Sequence, residues 1–85
     1  MPKEKAIEKL RDAEALALSI WITAHGRSWR SKLIAAFEVS GQGVAGYVPE
    51  LQQIRNRLGP GILANLDTAE VLKHGEKVRE ARAQK

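Results

Sequence analysis

Residues 15–37 read ALALSIWITAHGRSWRSKLIAAF, and how this stretch folds decides the architecture. It joins the most apolar part of the chain to its only concentrated positive charge across a single glycine, Gly26. Before the glycine, Leu16, Leu18, Ile20, Trp21 and Ile22 point around the whole circumference of a helix instead of along one stripe. Such a helix is expected to be enclosed on several sides, as the central core element or as the seam of a dimer. His25-Gly26 ends it, because glycine adopts the positive φ that follows a last helical turn at little cost. Beyond the glycine, Ser28 is expected to cap a second helix running from Trp29 to about Glu38. Trp29, Leu33 and Phe37 fall at i, i+4 and i+8, and Ile34 widens that stripe. Helices joined by so few residues must pack antiparallel or cross sharply.

Upstream, MPKEKAIEKLRD spreads its charge evenly and lacks an apolar h-region, so no cleaved leader is expected. Pro2 suits a first turn, and Ile7, Leu10, Ala17 and Trp21 lie near one stripe. The periodicity therefore predicts one helix over residues 3–25. Downstream comes a glycine-rich segment, residues 39–48. There Gly41, Gly43 and Gly46 satisfy GxGxxG. A dinucleotide loop needs its third glycine inside a continuing helix, which Pro49 would break, so the segment is read as a flexible connector. A third helix starts at Pro49 as PELQQIRNRL, with Leu51, Ile54 and Leu58 on one face, and Gly59-Pro60-Gly61 stops it. Ile62, Leu63 and Leu66 form a short apolar plug. Asp67 and Glu70 have the spacing of an acidic capping box, so a last helix starts at Thr68. Its apolar positions are Val71, Leu72 and Val78, interrupted by Gly75. Past Ala81 nothing remains to pack, and residues 82–85 are expected to fray. The fold expected is all-α: residues 1–85 as a single domain, a small compact bundle of about four helices with no sheet.

The net charge is +4, and its placement matters more than its size. Acids and bases nearly cancel everywhere except at Arg27, Arg30 and Lys32, which have no acidic neighbour in residues 20–37. The absence of cysteine removes disulfides, thiolate metal sites and cysteine nucleophiles together. The longest nearly apolar run, residues 15–24, falls short of the ~20 residues a membrane span needs. A soluble, cytoplasmic chain is the expectation. A chain of 85 residues buries a modest fraction of its surface alone, so a homo-oligomer is expected to share a core.

The inventory for catalysis is thin. His25 and His74 have no carboxylate at a ligand spacing, and no serine sits in a nucleophile elbow. No enzyme activity, metal, cofactor or small-molecule substrate is expected. The informative anomaly is Gly26-Arg27-Ser28-Trp29-Arg30-Ser31-Lys32. Helix N-termini favour acids, yet here cations gather at that end with no acid. The compensation that makes physical sense is an anion held by free amides, the hydroxyls of Ser28 and Ser31, and the charges of Arg27, Arg30 and Lys32. Trp29 has two readings, core residue or a platform for a base. On the third helix, Gln52, Gln53, Arg55, Asn56 and Arg57 are types that read base edges, but the preceding connection is too long for a helix-turn-helix. Arg55 and Arg57 could still extend the basic face. The sequence thus predicts a small basic nucleic-acid-binding or accessory protein contacting phosphate through Arg27, Ser28, Arg30, Ser31, Lys32, Arg55 and Arg57. Alanine at Arg27 and Arg30 should then cost the fold almost nothing. The alternative is a homodimeric protein-interaction module whose apolar first helix is the interface.

Overall fold

An extended break at Leu10 and Arg11, inside the first predicted helix, sets the layout. In the computed structural model, which describes residues 5–38 and 49–84, Leu10 has φ −81° and ψ 140° and divides the N-terminal segment. A 3-10 turn, Ala6–Lys9, precedes the break, and α1 (Asp12–His25) follows it. The single helix expected over residues 3–25 is therefore corrected to two pieces. The break turns Leu10 into the core, where it is buried. It also frees the Arg11 N–H to donate to Glu14 Oε1 at 2.8 Å, one half of a capping box that the sequence pattern concealed.

From there the chain follows its punctuation. Gly26 ends α1 with φ 69°, and its N–H donates to the Ile22 carbonyl. A 3-10 turn, Gly26–Ser28, leads into α2 (Trp29–Glu38). Then come α3 (Pro49–Leu58), a 3-10 turn over Pro60–Asn65, and α4 (Thr68–Ala83). Asp67 caps α4, its Oδ1 accepting from the Ala69 N–H at 2.9 Å. The fold is an all-α bundle of four helices, with no strand among the described residues. The GxGxxG segment lies outside the described residues. α4 continues through Ala83, with residues 82–84 exposed. No helix among the described residues is long and apolar enough to cross a membrane.

α1 is the central element. α3 and α4 each pack on it and make little contact with one another. Arg57, near the end of α3, reaches Lys9 and Glu14 at the start of α1, so α3 runs antiparallel to α1. α4 does the same on another flank. Thr68 meets the Trp29 indole beyond the end of α1, whereas Gly75 lies against Ser19 and Ala15. Leu18, Leu33, Leu51, Ile54, Leu63 and Leu66 fill the space between the helices, and the expected plug over residues 62–66 closes it. The enclosure of α1 is incomplete, however. Leu18, Trp21 and Ile22 are buried and Leu16 is half-buried, but Ile20 is 54% exposed.

Gly75, an apparent interruption in the last apolar stripe, is where α4 approaches α1 most closely. A Cβ there would stand 2.6 Å from Ser19 Cβ and 2.3 Å from Ser19 Oγ, with the Ala15 carbonyl oxygen at 3.4 Å. Ser19 Cβ is anchored to its backbone and cannot swing away. Gly75→Ala therefore trades about 1 kcal/mol of helix propensity against forcing two packed helices apart. We expect a net loss of about 1–3 kcal/mol in denaturant unfolding, partly recovered by adding Ser19→Gly. A more stable Gly75→Ala would show slack in this seam.

Candidate functional site

The cationic elbow between α1 and α2 is wired differently from the sequence expectation. Ser28 is not an extended residue ahead of a free helix end. It closes the 3-10 turn Gly26–Ser28, and the Trp29 N–H is already bonded to the Gly26 carbonyl. Ser31 Oγ donates to the Ser28 carbonyl at 3.1 Å. Trp29 is 1% exposed, and its indole N–H donates to Thr68 Oγ1 at 3.0 Å. It is a core residue, and stacking on a base is excluded. The Trp21 indole N–H in turn donates to the Trp29 carbonyl at 3.0 Å, so two indoles pin α1, α2 and the start of α4 together. His25 stacks on Trp21 with ring centroids 3.8 Å apart, and its Nδ1 lies 2.9 Å from the Trp21 carbonyl.

Of the expected phosphate-binding cations, two are committed within the fold. Arg30 lies over the Trp29 ring at 4.6 Å. Its Nε donates to the Leu63 carbonyl at 2.9 Å and its Nη2 to the Leu66 carbonyl, closing the end of the 3-10 turn that precedes α4. Arg57 donates to both Glu14 carboxylate oxygens and to the Lys9 carbonyl, the last at 2.8 Å. Arg55 is exposed, with its guanidinium 5.9 Å from the Phe37 ring centre. Lys32 Nζ approaches the His25 carbonyl at 3.5 Å. Arg27 and Ser28 are exposed, and no acid pairs with Arg27 among the described residues. Arg27, Ser28, Ser31 and Lys32 thus share the elbow surface, whereas Arg30 is engaged by the Leu63 and Leu66 carbonyls and Arg57 by Glu14 and the Lys9 carbonyl.

Glu14 gives Arg57 its role. Its side chain is 0% exposed, at the start of α1. Burial pushes its carboxyl up. The Arg57 hydrogen bonds, the Arg11 N–H and the charges of both arginines outweigh that and hold it below its ordinary 4.5. The unfolded chain therefore takes up a proton here first as pH falls. This contribution to stability is full above about pH 4.5 and is lost as acid approaches the lowered folded value.

A second feature lies on α1, the helix that the alternative reading of the sequence makes an interface, although the residues lining it were not singled out as a set. A groove of about 340 Å³ runs along α1, floored by Ala13, Leu16, Ala17, Ile20 and Ala24, with Glu50 and Arg82 on its walls. The signal was present in the spacing. Residues 13, 17, 20 and 24 step by four, three and four, the seam spacing of helices that pack side by side. Between Asp12 and His25 the only charged residue is Glu14, and it is buried. No group of three or more metal-ligating side chains occurs among the described residues; His74 Nε2 lies 3.6 Å from Asp12 Oδ1. Compared with known proteins, the chain matches no family model, no curated protein and no solved structure.

Two pairs of mutational outcomes follow from these contacts. Arg57→Ala strands a buried carboxylate and should cost about 3 kcal/mol near neutral pH. Glu14→Gln, which can still accept hydrogen bonds, should cost about 1 kcal/mol and flatten the loss of stability below pH 4.5 in acid titrations followed by circular dichroism. At the elbow, Arg30→Ala should lower stability by about 2 kcal/mol, while Arg27→Ala stays within about 0.5 kcal/mol of the parent. Equal effects at the two arginines would contradict this assignment.

Proposed function

We propose that the chain is a small, non-enzymatic, helical protein-interaction module whose working surface is the groove along α1. The observation that carries this reading is Ile20. It is a large aliphatic residue at the centre of the core helix, flanked by alanines, and more than half exposed. Burying an isoleucine is worth about 1.5–3 kcal/mol, so leaving one open on the best-packed helix is a loss unless something covers it. Alanines on either side let a second helix approach closely. Cytoplasmic placement belongs to the same proposal.

One observation keeps the nucleic-acid reading as a second proposal. Arg27, Ser28, Ser31 and Lys32 remain on one surface with no acid opposing them among the described residues. Its footprint would be smaller than the sequence implied, because Arg30 and Arg57 are engaged and Trp29 is buried. Phosphate contact weakens steeply with salt, whereas an apolar groove does not.

The groove reading is tested with Nile red, a neutral apolar dye that ignores the cationic elbow. The folded chain should enhance its fluorescence, and Ile20→Asp should remove most of the enhancement without lowering helix content. Dye binding that is unchanged in Ile20→Asp would refute the groove as the working surface.

A further inference from the structure

We propose that a second cleft, at the elbow, binds a small amphipathic carboxylate: an aromatic ring or short acyl chain carrying a single carboxyl group. This cleft measures about 480 Å³ and is lined by Ile22, Arg27 and Trp29 on one side and by Thr68 and Leu72 of α4 on the other. Ile22 lies about 200° around α1 from Ile20 at the helical repeat. The cleft and the α1 groove therefore occupy nearly opposite faces of the helix, and the proposal does not rest on the groove reading.

The lining is sorted by polarity. Thr68 stands beyond the end of α1 against the Trp29 indole, and Arg27 belongs to the turn that follows α1. Leu72 is one turn into α4 from Thr68, and Ile22 is one turn into α1 from Gly26. Polar groups thus stand at the elbow end, and aliphatic ones a helical turn deeper, about 5 Å along. One turn further on, the two helices touch. A Cβ on Gly75 would stand 2.6 Å from Ser19 Cβ, so no space remains between them there. A ring or short chain fits above that contact, whereas a long acyl chain would have to leave the cleft for solvent.

The groups at the elbow end choose the charge. Arg27 is exposed with no acid paired to it among the described residues, whereas Arg30 and Lys32 of the same cluster are turned to carbonyls. Asp67, next to Thr68 in the chain, is occupied with the Ala69 N–H at 2.9 Å. Thr68 Oγ1 accepts from the Trp29 indole N–H, which leaves the hydroxyl proton to be donated. A guanidinium fork beside a hydroxyl donor suits the two oxygens of a carboxylate. Arg27 is the one charged residue lining the cleft among the described residues, so a monoanion balances it and a dianionic phosphate does not. The apolar body follows from Leu72, which the fold leaves 37% exposed. A ring laid against Leu72 and Ile22 takes apolar surface out of water.

The test titrates hydrocinnamate into the isotope-labelled full chain, followed by backbone amide resonances. Those of Gly26, Arg27, Thr68 and Leu72 should shift saturably, with a dissociation constant of about 1 mM or below. Arg27→Ala, which should leave stability nearly unchanged, and the neutral ligand hydrocinnamamide should each weaken binding at least about tenfold. Leu72→Ser should weaken it too, and Ile20→Asp should not. Shifts that fail to saturate by about 20 mM, or that survive Arg27→Ala or Leu72→Ser, would overturn the proposal. Equal binding of the amide would do the same. Inorganic phosphate that reproduces the shifts as tightly would reduce the cleft to a bare anion contact and sink the amphipathic ligand. Shifts centred on Ala17 and Ile20 would move the carboxylate to the α1 groove, overturning this site while leaving the groove reading to its own test.

Discussion

A carboxylate with no access to solvent governs how this bundle is put together. Glu14 enters the interior at the start of α1, where an unpaired charge would be prohibitive. The Arg57 guanidinium meets it from the far end of α3, and the Arg11 N–H meets it from the break ahead of α1. Three separate decisions of the chain are thereby tied to one another: where the first helix starts, where the third one ends, and which way the third runs. Arg57 also holds the Lys9 carbonyl, so the N-terminal 3-10 turn joins the same junction. Hydrophobic burial supplies most of the stabilisation in a domain of this kind, but it is indifferent to direction. The ion pair is directional, and it selects an antiparallel α1–α3 arrangement from those the apolar stripes alone would allow.

The other polar contacts follow a common pattern. Cations gather at the C-terminal ends of helical segments, where carbonyl oxygens lack partners and the dipole is negative. Arg30 serves the carbonyls of Leu63 and Leu66 at the end of the Pro60–Asn65 turn. Lys32 leans toward the His25 carbonyl at the end of α1. Read along the chain, both residues sit at the beginning of α2, the unfavourable end for positive charge. Read in space, they sit at the favourable ends of neighbouring segments. The conflict that pointed to a phosphate is thus largely relieved within the fold, leaving Arg27 as the cation of that cluster with no such engagement among the described residues.

This contrast separates what the sequence reveals from what it hides. Helix-ending glycines and prolines, the Asp67 cap and the Trp29–Leu33–Phe37 stripe are local signals, and the all-α bundle could be read from them. The break at Leu10 was hidden because a leucine on an apolar stripe gives no sign that it will leave the helix to reach the core. The roles of Arg30 and Arg57 were hidden because their partners lie more than 30 positions away in sequence, at carbonyls and a carboxylate that have no meaning in one dimension. Even the four-three-four seam of α1 was visible but ambiguous. Surrounded by other apolar residues, Ala13, Ala17, Ile20 and Ala24 look like part of a uniformly buried helix until α3 and α4 are seen to cover only some of it.

The contact of Gly75 with Ser19 has a consequence for how the chain acquires its structure. The most intimate packing of α1 is with α4, from which it is separated in sequence by two other helices. A nascent chain would carry the Ala15 and Ser19 face of α1 without its partner until α4 is made. Contacts between the two ends of a chain raise the entropic barrier to folding and favour late, concerted assembly over stepwise growth. Binding of nascent chains by chaperones would compete with docking of α4, and folding in the cell would hinge on when that helix becomes available to α1.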